Sequence, residues 1–249
     1  MFPNIKGFIQ NSLIDWPGRI ASIVFLPGCN FRCPFCHAAH LVVRPNELES
    51  IPFDSIRASL VERADWIDGV IISGGEPTTS EGLPALVEAI GALGFPVKLD
   101  TNGSHPEIVE SLVAGGVVQA ISMDVKAPLD ERYKRLAGVE VDLEAIRRSI
   151  GFLLSGGVAE YEFRTTVPPG FLDGDAIVEI ARTIEGAKAY VLQDFQGVDC
   201  IDASLAGLKP LGPEVLRGYA ERARAYVQRC WVRGSEEPPG GSGSDLHRA

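Results

Sequence analysis

Long apolar runs are missing from this 249-residue chain, and nothing in its first residues predicts a leader peptide. No stretch approaches about 18 apolar residues without a charge or a turn signal, which excludes a membrane-spanning helix. Residues 1–18 include one Lys and no long apolar core, so they predict no secretory signal, and we expect a cytoplasmic location. Basic residues are also few, 23 against 33 acidic ones, and the net charge of −10 disfavours a nucleic-acid partner.

Cysteine is sparse, yet three of the five cysteines, Cys29, Cys33 and Cys36, stand within eight residues. Without a secretory signal, this crowding predicts a metal site in a reducing compartment, not a disulfide framework. The spacing Cys-x3-Cys-x2-Cys lets three thiolates converge on one soft-metal centre. A cubane iron–sulfur cluster has four irons, so three cysteines would leave one iron free to bind a small molecule.

A structural zinc ion held by three cysteines and one histidine is the alternative, with His37 or His40 as the fourth ligand. Zinc sites usually take their ligands from two separated pairs. No second Cys-x2-Cys pair is present, because Cys200 and Cys230 are isolated in the sequence. The spacing therefore favours the cluster over zinc.

Short β-branched segments alternate with segments of helical period, which predicts parallel strands joined by helical crossovers. The six strand-like segments are 19–26, 69–73, 97–101, 120–125, 161–167 and 189–194. Helical spacing of apolar residues occurs in 83–93, 143–153 and 216–230. The last of these places Cys230 on the buried face of a final helix.

Six β/α units are fewer than the eight of a closed barrel, so an α/β fold is expected, either an open partial barrel or a doubly wound sheet. In both architectures the chemistry lies beyond the carboxyl ends of the strands. We assign residues 1–233 to one domain. Residues 234–249, rich in Gly, Pro and Ser, are expected to form a disordered C-terminal tail.

The cysteine motif, with the aromatic Phe35 directly before its last cysteine, resembles that of radical S-adenosylmethionine (radical SAM) enzymes. The stretch 12–19, SLIDWPGR, resembles the N-terminus of enzymes that activate glycyl-radical proteins. The resemblance extends over about residues 7–196. It implies a partial (β/α)6 barrel similar to a TIM barrel, a [4Fe–4S] cluster on the three cysteines, and cofactor contacts from Phe35 and His37, which flank Cys36.

The second predicted strand ends in a glycine pair, Gly74-Gly75, followed by Glu76-Pro77. Adjacent glycines let the main chain approach a ligand closely. Taken alone, the segment also fits a simple β-to-α turn with a Ser or Thr cap. The resemblance implies that Gly74, Gly75, Glu76 and Pro77 hold the amino group of S-adenosylmethionine.

The next two predicted strands end in polar groups, Asp100 and Asn102 on one and Asp124-Val125-Lys126 on the other. These side chains suit ribose hydroxyls and a carboxylate, although Asx turns and a surface ion pair would also account for them. Their occurrence at successive strand ends favours ligand binding. The resemblance implies that the segment 124–126 contacts the cofactor.

Arg164 lies on the fifth predicted strand and points either into the barrel, towards the cofactor carboxylate or Asp124, or outwards to solvent. In some relatives, carboxylates matching Asp100 and Asp124 also hold a monovalent cation, which the resemblance makes a possible cofactor. Gln196 is a candidate cofactor contact after the sixth strand, but relatives often carry His there. This departure weakens the inference of a cation site and of a ligand role for Gln196.

The resemblance implies an activating enzyme that reductively cleaves S-adenosylmethionine and makes a glycyl radical on anaerobic ribonucleoside-triphosphate reductase, with flavodoxin or ferredoxin as the reductant. Three alternatives stay open. The target could be another glycyl-radical enzyme of the pyruvate formate-lyase type, or a small molecule. The chain could also be a structural zinc- or cluster-binding module.

Overall fold

The computed structural model describes residues 2–235. Its strands form a single eight-stranded sheet in sequential order. The strands are β1 (Gly7–Ser12), β2 (Ala21–Leu26), β3 (Gly69–Gly74), β4 (Val97–Thr101), β5 (Val118–Asp124), β6 (Glu160–Val167), β7 (Tyr190–Asp194) and β8 (Cys230–Val232). Strands β2 to β7 correspond to the six predicted from sequence.

Helices connect successive strands from β2 onwards. They are α1 (Ala39–Val43), α2 (Phe53–Glu62), α3 (Leu83–Gly91), α4 (Pro106–Ala114), α5 (Glu131–Ala137), α6 (Leu143–Leu154), α7 (Gly174–Thr183) and α8 (Pro213–Ala223). Short 3-10 turns lie at Pro45–Glu47, Pro77–Thr79 and Ala203–Leu205. Within the described range, no helix combines the length and the apolar character needed to cross a membrane.

Parallel pairing from β2 through β8 decides between the two candidate architectures. A doubly wound sheet reverses its strand order at a switch point, whereas this order never reverses. Between residues 2 and 235 no register joins β1 to β8, so the sheet stays open. The predicted partial barrel is therefore confirmed, with β1 added antiparallel to β2 and β8 added at the other edge.

The register of the sheet places the ends of neighbouring strands at one level. Leu26, the last residue of β2, pairs with Gly74, the last residue of β3. The cysteine loop and the glycine segment therefore leave the sheet side by side. Further along the sheet, Asp124 of β5 lies directly opposite Arg164 of β6.

The predicted final helix is wrong at its C-terminal end. Helix α8 stops at Ala223, and Cys230 lies on β8, where it is fully buried. The chain turns after α8, and Arg224 Nε donates to the Cys230 carbonyl oxygen at 2.9 Å. The Cys-Trp-Val sequence then pairs with β7, and all three of these residues are buried, as suits bulky and β-branched residues in a sheet. The expected burial of the Cys230 thiol is confirmed.

The assignment of residues 1–233 to one domain stays a prediction. Of the expected tail, only residues 234 and 235 are described, and Ser235 N–H donates to the Val232 carbonyl oxygen at 3.0 Å. Residues 236–249 lie outside the described residues.

Candidate functional site

A cavity of about 350 Å³ opens at the carboxyl ends of the strands. It is lined by residues from the loop after β2 and from the ends of β3 to β7, as the sequence predicts for an α/β fold. Twelve of the candidate residues line it, namely Cys29, Cys33, Phe35, Cys36, His37, Gly74, Gly75, Asp100, Asn102, Asp124, Lys126 and Arg164. The topology thus brings together groups that are up to 135 positions apart in the chain (164 − 29).

The loop that carries the three cysteines is fixed by backbone hydrogen bonds to its neighbours. Gly28 N–H donates to the Leu41 carbonyl oxygen of α1 at 2.9 Å, and Arg32 N–H donates to the Ala137 carbonyl oxygen of α5 at 2.7 Å. These bonds anchor both the start and the middle of the loop. The positions of the thiols are therefore set by main-chain contacts.

The three thiols of the motif line the same cavity. Burial raises the pKa of Cys29 to about 11 and that of Cys33 to about 12, and burial also raises the pKa of Cys36. Metal loading must therefore displace protons from them. Over residues 2–235, no group of three or more Cys, His, Asp or Glu side chains is placed so that it could hold a metal ion as the side chains stand. The donor set, three free thiols on one cavity wall, fits a soft metal centre.

The glycine segment packs backbone to backbone against the cysteine loop. Gly75 N–H donates to the Leu26 carbonyl oxygen at 2.9 Å, and Glu76 N–H donates to the Gly28 carbonyl oxygen at 2.8 Å. Gly74 has φ +125°, a region that favours glycine. A Cβ on Gly75 would lie 1.8 Å from the Gly28 carbonyl oxygen, which no side chain tolerates. Both glycines are thus required by geometry, and both face the cavity.

Glu76 lies behind the cavity wall and does not line the cavity. Its side chain is 1% exposed, and its carboxylate accepts four hydrogen bonds. The donors are the Thr78 N–H and hydroxyl, the Thr101 hydroxyl and the Asn102 N–H. Pro77 is also buried and starts the turn that Glu76 caps. Both residues therefore shape the site from outside the cavity, with Glu76 joining the ends of β3 and β4.

Asn102 connects the end of β4 to the cysteine loop. Its side-chain amide donates to Asn30 Oδ1 at 3.0 Å and lies 3.9 Å from the Cys29 sulfur. An amide donor next to a sulfur can stabilise negative charge on that sulfur. The expected polar role of Asn102 at this strand end thus includes a contact with one of the cysteines.

Arg164 points into the cavity, which settles the choice that the sequence left open. Its Nη1 lies 3.0 Å from Asp100 Oδ2, and its Nε lies 2.9 Å from Asp124 Oδ1. Lys126 Nζ contacts Asp124 Oδ2 at 2.9 Å. Burial alone would raise the pKa of each Asp. Arg164 and Lys98 instead hold the pKa of Asp100 below its usual range, and Arg164 and Lys126 do the same for the pKa of Asp124. The cavity wall is therefore built from ionised, paired groups.

The Arg164 guanidinium lies at the position where the resemblance implied a monovalent cation. Arg164 bonds both Asp100 and Asp124, the two carboxylates that such a cation would need. The protein therefore already supplies positive charge between them. This arrangement speaks against a separate cation between these two carboxylates.

Val125 and Gln196 are two further candidates that do not line the cavity. Val125 is buried, and its N–H donates to the Arg164 carbonyl oxygen at 2.8 Å, which holds β5 and β6 together. Gln196 follows the end of β7 by two residues and is exposed. Gln193, still on β7, lines the cavity instead.

A buried ionic network below the cavity was missed from sequence. Lys98 Nζ lies 3.5 Å from Asp100 Oδ1 and 3.7 Å from Glu162 Oε1, and Arg233 Nη2 lies 2.5 Å from Glu162 Oε1. Lys98 and Asp100 are two positions apart on β4, which puts both on the same face of the strand. Glu162 and Arg164 on β6 show the same spacing. Charged residues at alternate positions of two predicted strands were the sequence pattern that could have indicated this network.

Comparisons with known proteins connect this geometry to a family. Residues 23–184 match the family described as the radical SAM superfamily. The chain belongs to the radical SAM superfamily. Members of this superfamily use a [4Fe–4S] cluster and S-adenosylmethionine, which favours the cluster over structural zinc.

Two curated relatives extend over most of this radical SAM chain. A protein of Methanocaldococcus jannaschii, named "Putative glycyl-radical enzyme activating enzyme", is 31% identical over 238 residues, which are 92% of this chain and 95% of the relative. The pyruvate formate-lyase-activating enzyme of Streptococcus mutans is 25% identical over 244 residues, covering 87% of this chain and 90% of that protein. The chain is thus a radical SAM enzyme of the type that activates glycyl-radical enzymes.

A solved structure supports the fold of this radical SAM enzyme independently of sequence. SuiB of Streptococcus suis bound to S-adenosylmethionine superimposes with a TM-score of 0.63 at 16% identity, over 86% of this chain and 52% of that chain. At this identity the likeness shows the fold alone. It agrees with the open, partial barrel described above.

Replacing Gly75 with Ala should separate the cysteine loop from the glycine segment, because the added Cβ meets the Gly28 carbonyl oxygen. We expect the free energy of unfolding to fall by about 3 kcal/mol, measured by urea titration, together with a lower iron content after anaerobic reconstitution. Gly151→Ala on α6 is the matched control, since nothing lies within 4 Å of its Cβ. Equal stability of the two variants would contradict this packing.

The paired carboxylates predict acid sensitivity. The pKa values of Asp100, Asp124 and Glu162 are lowered in the folded state, so the unfolded chain binds more protons as the pH falls below about 4. Their stabilisation is present above that pH and is lost below it. Asp124→Asn should flatten the fall in unfolding free energy between roughly pH 5 and pH 3. Glu62 is exposed, so the unfolding free energy of Glu62→Gln should fall with pH as that of the parent does. If the parent, Asp124→Asn and Glu62→Gln all showed the same slope, Asp124 would not be a source of the acid sensitivity.

Proposed function

We propose that this enzyme activates anaerobic ribonucleoside-triphosphate reductase by forming a glycyl radical on it. The similarity to a glycyl-radical enzyme activating enzyme over 92% of the chain supports the general activity, which is the activation of a glycyl-radical enzyme. The choice of reductase rests on the resemblance of segment 12–19 and the cysteine motif. Flavodoxin or ferredoxin is the proposed electron donor.

Cys29, Cys33 and Cys36 are proposed to hold the [4Fe–4S] cluster. Three thiols on one wall of the cavity fit this role, because they leave one iron without a protein ligand. When bound, the reduced cluster would supply one electron to S-adenosylmethionine, which would give methionine and a 5′-deoxyadenosyl radical able to take the hydrogen of a glycine Cα–H, leaving 5′-deoxyadenosine and a glycyl radical. The task of the protein is to bind, orient and shield these groups.

The cavity wall offers separate positions for the two ends of an amino acid. The backbone of Gly74 and Gly75 is open to the cavity and is proposed to receive the ammonium group. Lys126 and Arg164 supply positive charge for the carboxylate, and their bonds to Asp124 hold both cations in place. Phe31 and Phe35, both buried at the cavity, exclude water from the reacting atoms.

Activation of a pyruvate formate-lyase-type enzyme is the second candidate. The observation in its favour is the 25% identity to a pyruvate formate-lyase-activating enzyme over 87% of this chain. Both candidates use the same site and differ only in the protein that presents the glycine. They are therefore distinguished by the partner and not by the cavity.

Substituting Cys33 with Ala tests the cluster assignment. The variant should retain little cluster iron and should release no 5′-deoxyadenosine from S-adenosylmethionine upon dithionite reduction, measured by chromatography. Cys230→Ala is the matched control, because Cys230 is also buried but lies on β8 and does not line the cavity. A Cys33→Ala protein that still formed 5′-deoxyadenosine would refute the assignment.

Electron paramagnetic resonance identifies the partner. The reduced enzyme with S-adenosylmethionine is mixed separately with anaerobic ribonucleoside-triphosphate reductase and with pyruvate formate-lyase. We expect a glycyl-radical doublet on the reductase, and its loss when the glycine of the reductase is replaced by alanine. A doublet on pyruvate formate-lyase alone would establish the second candidate, and no doublet on either would reject both targets.

A further inference from the structure

Glu76 is a buried carboxylate that forms no ion pair within residues 2–235. Burial raises its pKa, because the charged form loses contact with water. All four of its hydrogen-bond partners in this part of the chain are neutral, whereas Asp100 and Asp124 are each paired with a cation. A buried charge of this kind depends on donors that are correctly oriented.

A chain of two hydrogen bonds connects this carboxylate to His105, the residue directly before α4. The Thr78 hydroxyl donates to Glu76 Oε1 at 2.6 Å, and Thr78 Oγ1 lies 2.8 Å from His105 Nδ1. Thr78 is buried and His105 is half-buried. A hydroxyl has a single hydrogen to donate. Since Thr78 gives its hydrogen to Glu76, His105 Nδ1 must carry a hydrogen and donate it to Thr78 Oγ1.

The direction of this chain is linked to the charge of Glu76. Each carboxylate oxygen faces a backbone N–H, from Thr78 at 3.1 Å and from Asn102 at 2.6 Å, and a backbone N–H can only donate. An ionised carboxylate accepts from all of these donors. A protonated carboxyl that donated to Thr78 Oγ1 would turn the Thr78 hydroxyl towards His105, where it needs a bare Nδ1. A hydrogen on His105 Nδ1 therefore favours the ionised form of Glu76.

The Glu76 charge lies directly behind the glycine segment. Glu76 N–H donates to the Gly28 carbonyl oxygen at 2.8 Å, which fixes the residue after Gly75 against the cysteine loop. Burial raises the pKa of Cys29, and the Glu76 carboxylate adds to that rise, so its negative charge acts on the cavity wall. This charge would stabilise an ammonium group at Gly74 and Gly75, because a buried environment screens it little.

We propose that His105 is a positioning residue for S-adenosylmethionine and that it acts through Thr78 on Glu76. Its Nδ1–H orients the Thr78 hydroxyl, and the hydroxyl keeps Glu76 ionised behind the segment that receives the ammonium group. The inference rests on the proposed placement of that ammonium group at Gly74 and Gly75. His105 does not line the cavity, so its effect is transmitted by these two side chains.

Calorimetric titration of the anaerobically reconstituted enzyme with S-adenosylmethionine tests the proposal. His105→Ala removes the donor to Thr78 and should weaken binding about fivefold, the effect of one lost hydrogen bond. KM should rise with Kd, while kcat for 5′-deoxyadenosine release changes little. His105→Asn places an amide N–H near the position of Nδ1 and should retain most of the parent affinity. Unchanged affinity in His105→Ala, or an equal loss in His105→Asn, would overturn the inference.

Thr78→Val separates transmission through the hydroxyl from a general effect on α4. Without the hydroxyl His105 has nothing to orient, so adding His105→Ala to Thr78→Val should weaken binding no further. Thr79→Val is the matched control and should bind as the parent does, because the Thr79 hydroxyl donates to the Glu76 carbonyl oxygen at 2.7 Å and not to the carboxylate. Losses that add in the double variant would show that His105 acts by another route, against the proposal.

The hydrogen on His105 Nδ1 gives a readout that needs neither the cluster nor the ligand. Two-bond proton–nitrogen spectra of the nitrogen-15-labelled, cluster-free chain report which ring nitrogen is protonated, and the His105 signals are identified by their loss in His105→Asn. We expect a hydrogen on Nδ1 in the parent and the Nε2–H tautomer in Thr78→Val. A bare Nδ1 in the parent would overturn the inference even if S-adenosylmethionine bound tightly. A parent with a protonated Nδ1 that bound no S-adenosylmethionine would instead overturn the proposed function, and the inference with it.

Discussion

The Arg164 guanidinium is the interaction on which the site depends. It reaches from β6 to carboxylates at the ends of β4 and β5, so three strand ends are held together by one side chain. Buried charges are stable only when they are paired and hydrogen-bonded, and removing one partner leaves the others uncompensated. The cavity therefore keeps its polar wall because each carboxylate has a cation within 3.0 Å.

The fold could be read from the sequence where the pattern was periodic. The apolar segments that became β2 to β7 and the spacing that became α6 were sufficient for a sequential parallel sheet. The pattern failed at residues 224–232, where a short edge strand continued a helical spacing by coincidence. Segment 7–12 was missed as a strand because its residues alternate weakly, and its pairing with β2 depends on contacts distant in the chain.

The site was predictable to the level of which loops contribute, but not of which way each side chain points. Cys29, Gly75 and Lys126 follow directly from motif and strand end. Glu76 could not be placed, because its orientation is decided by donors from β4, twenty-five and twenty-six residues further along the chain. Only the three-dimensional arrangement shows that the Glu76 carboxylate connects the ends of β3 and β4 by hydrogen bonds, whereas the Arg164 side chain faces the cavity.

The open sheet also has a consequence for aggregation. Between residues 2 and 235 the sheet does not close, so β1 and β8 are its edge strands, and unpaired edge strands are templates for intermolecular association. At one edge β8 contains only three residues, and at the other β1 pairs irregularly with β2 between Ile9 and Ser12. A short edge and a bulged edge both interrupt the repeat that a growing fibril requires. The two edges of the described sheet thus offer little to cross-β assembly.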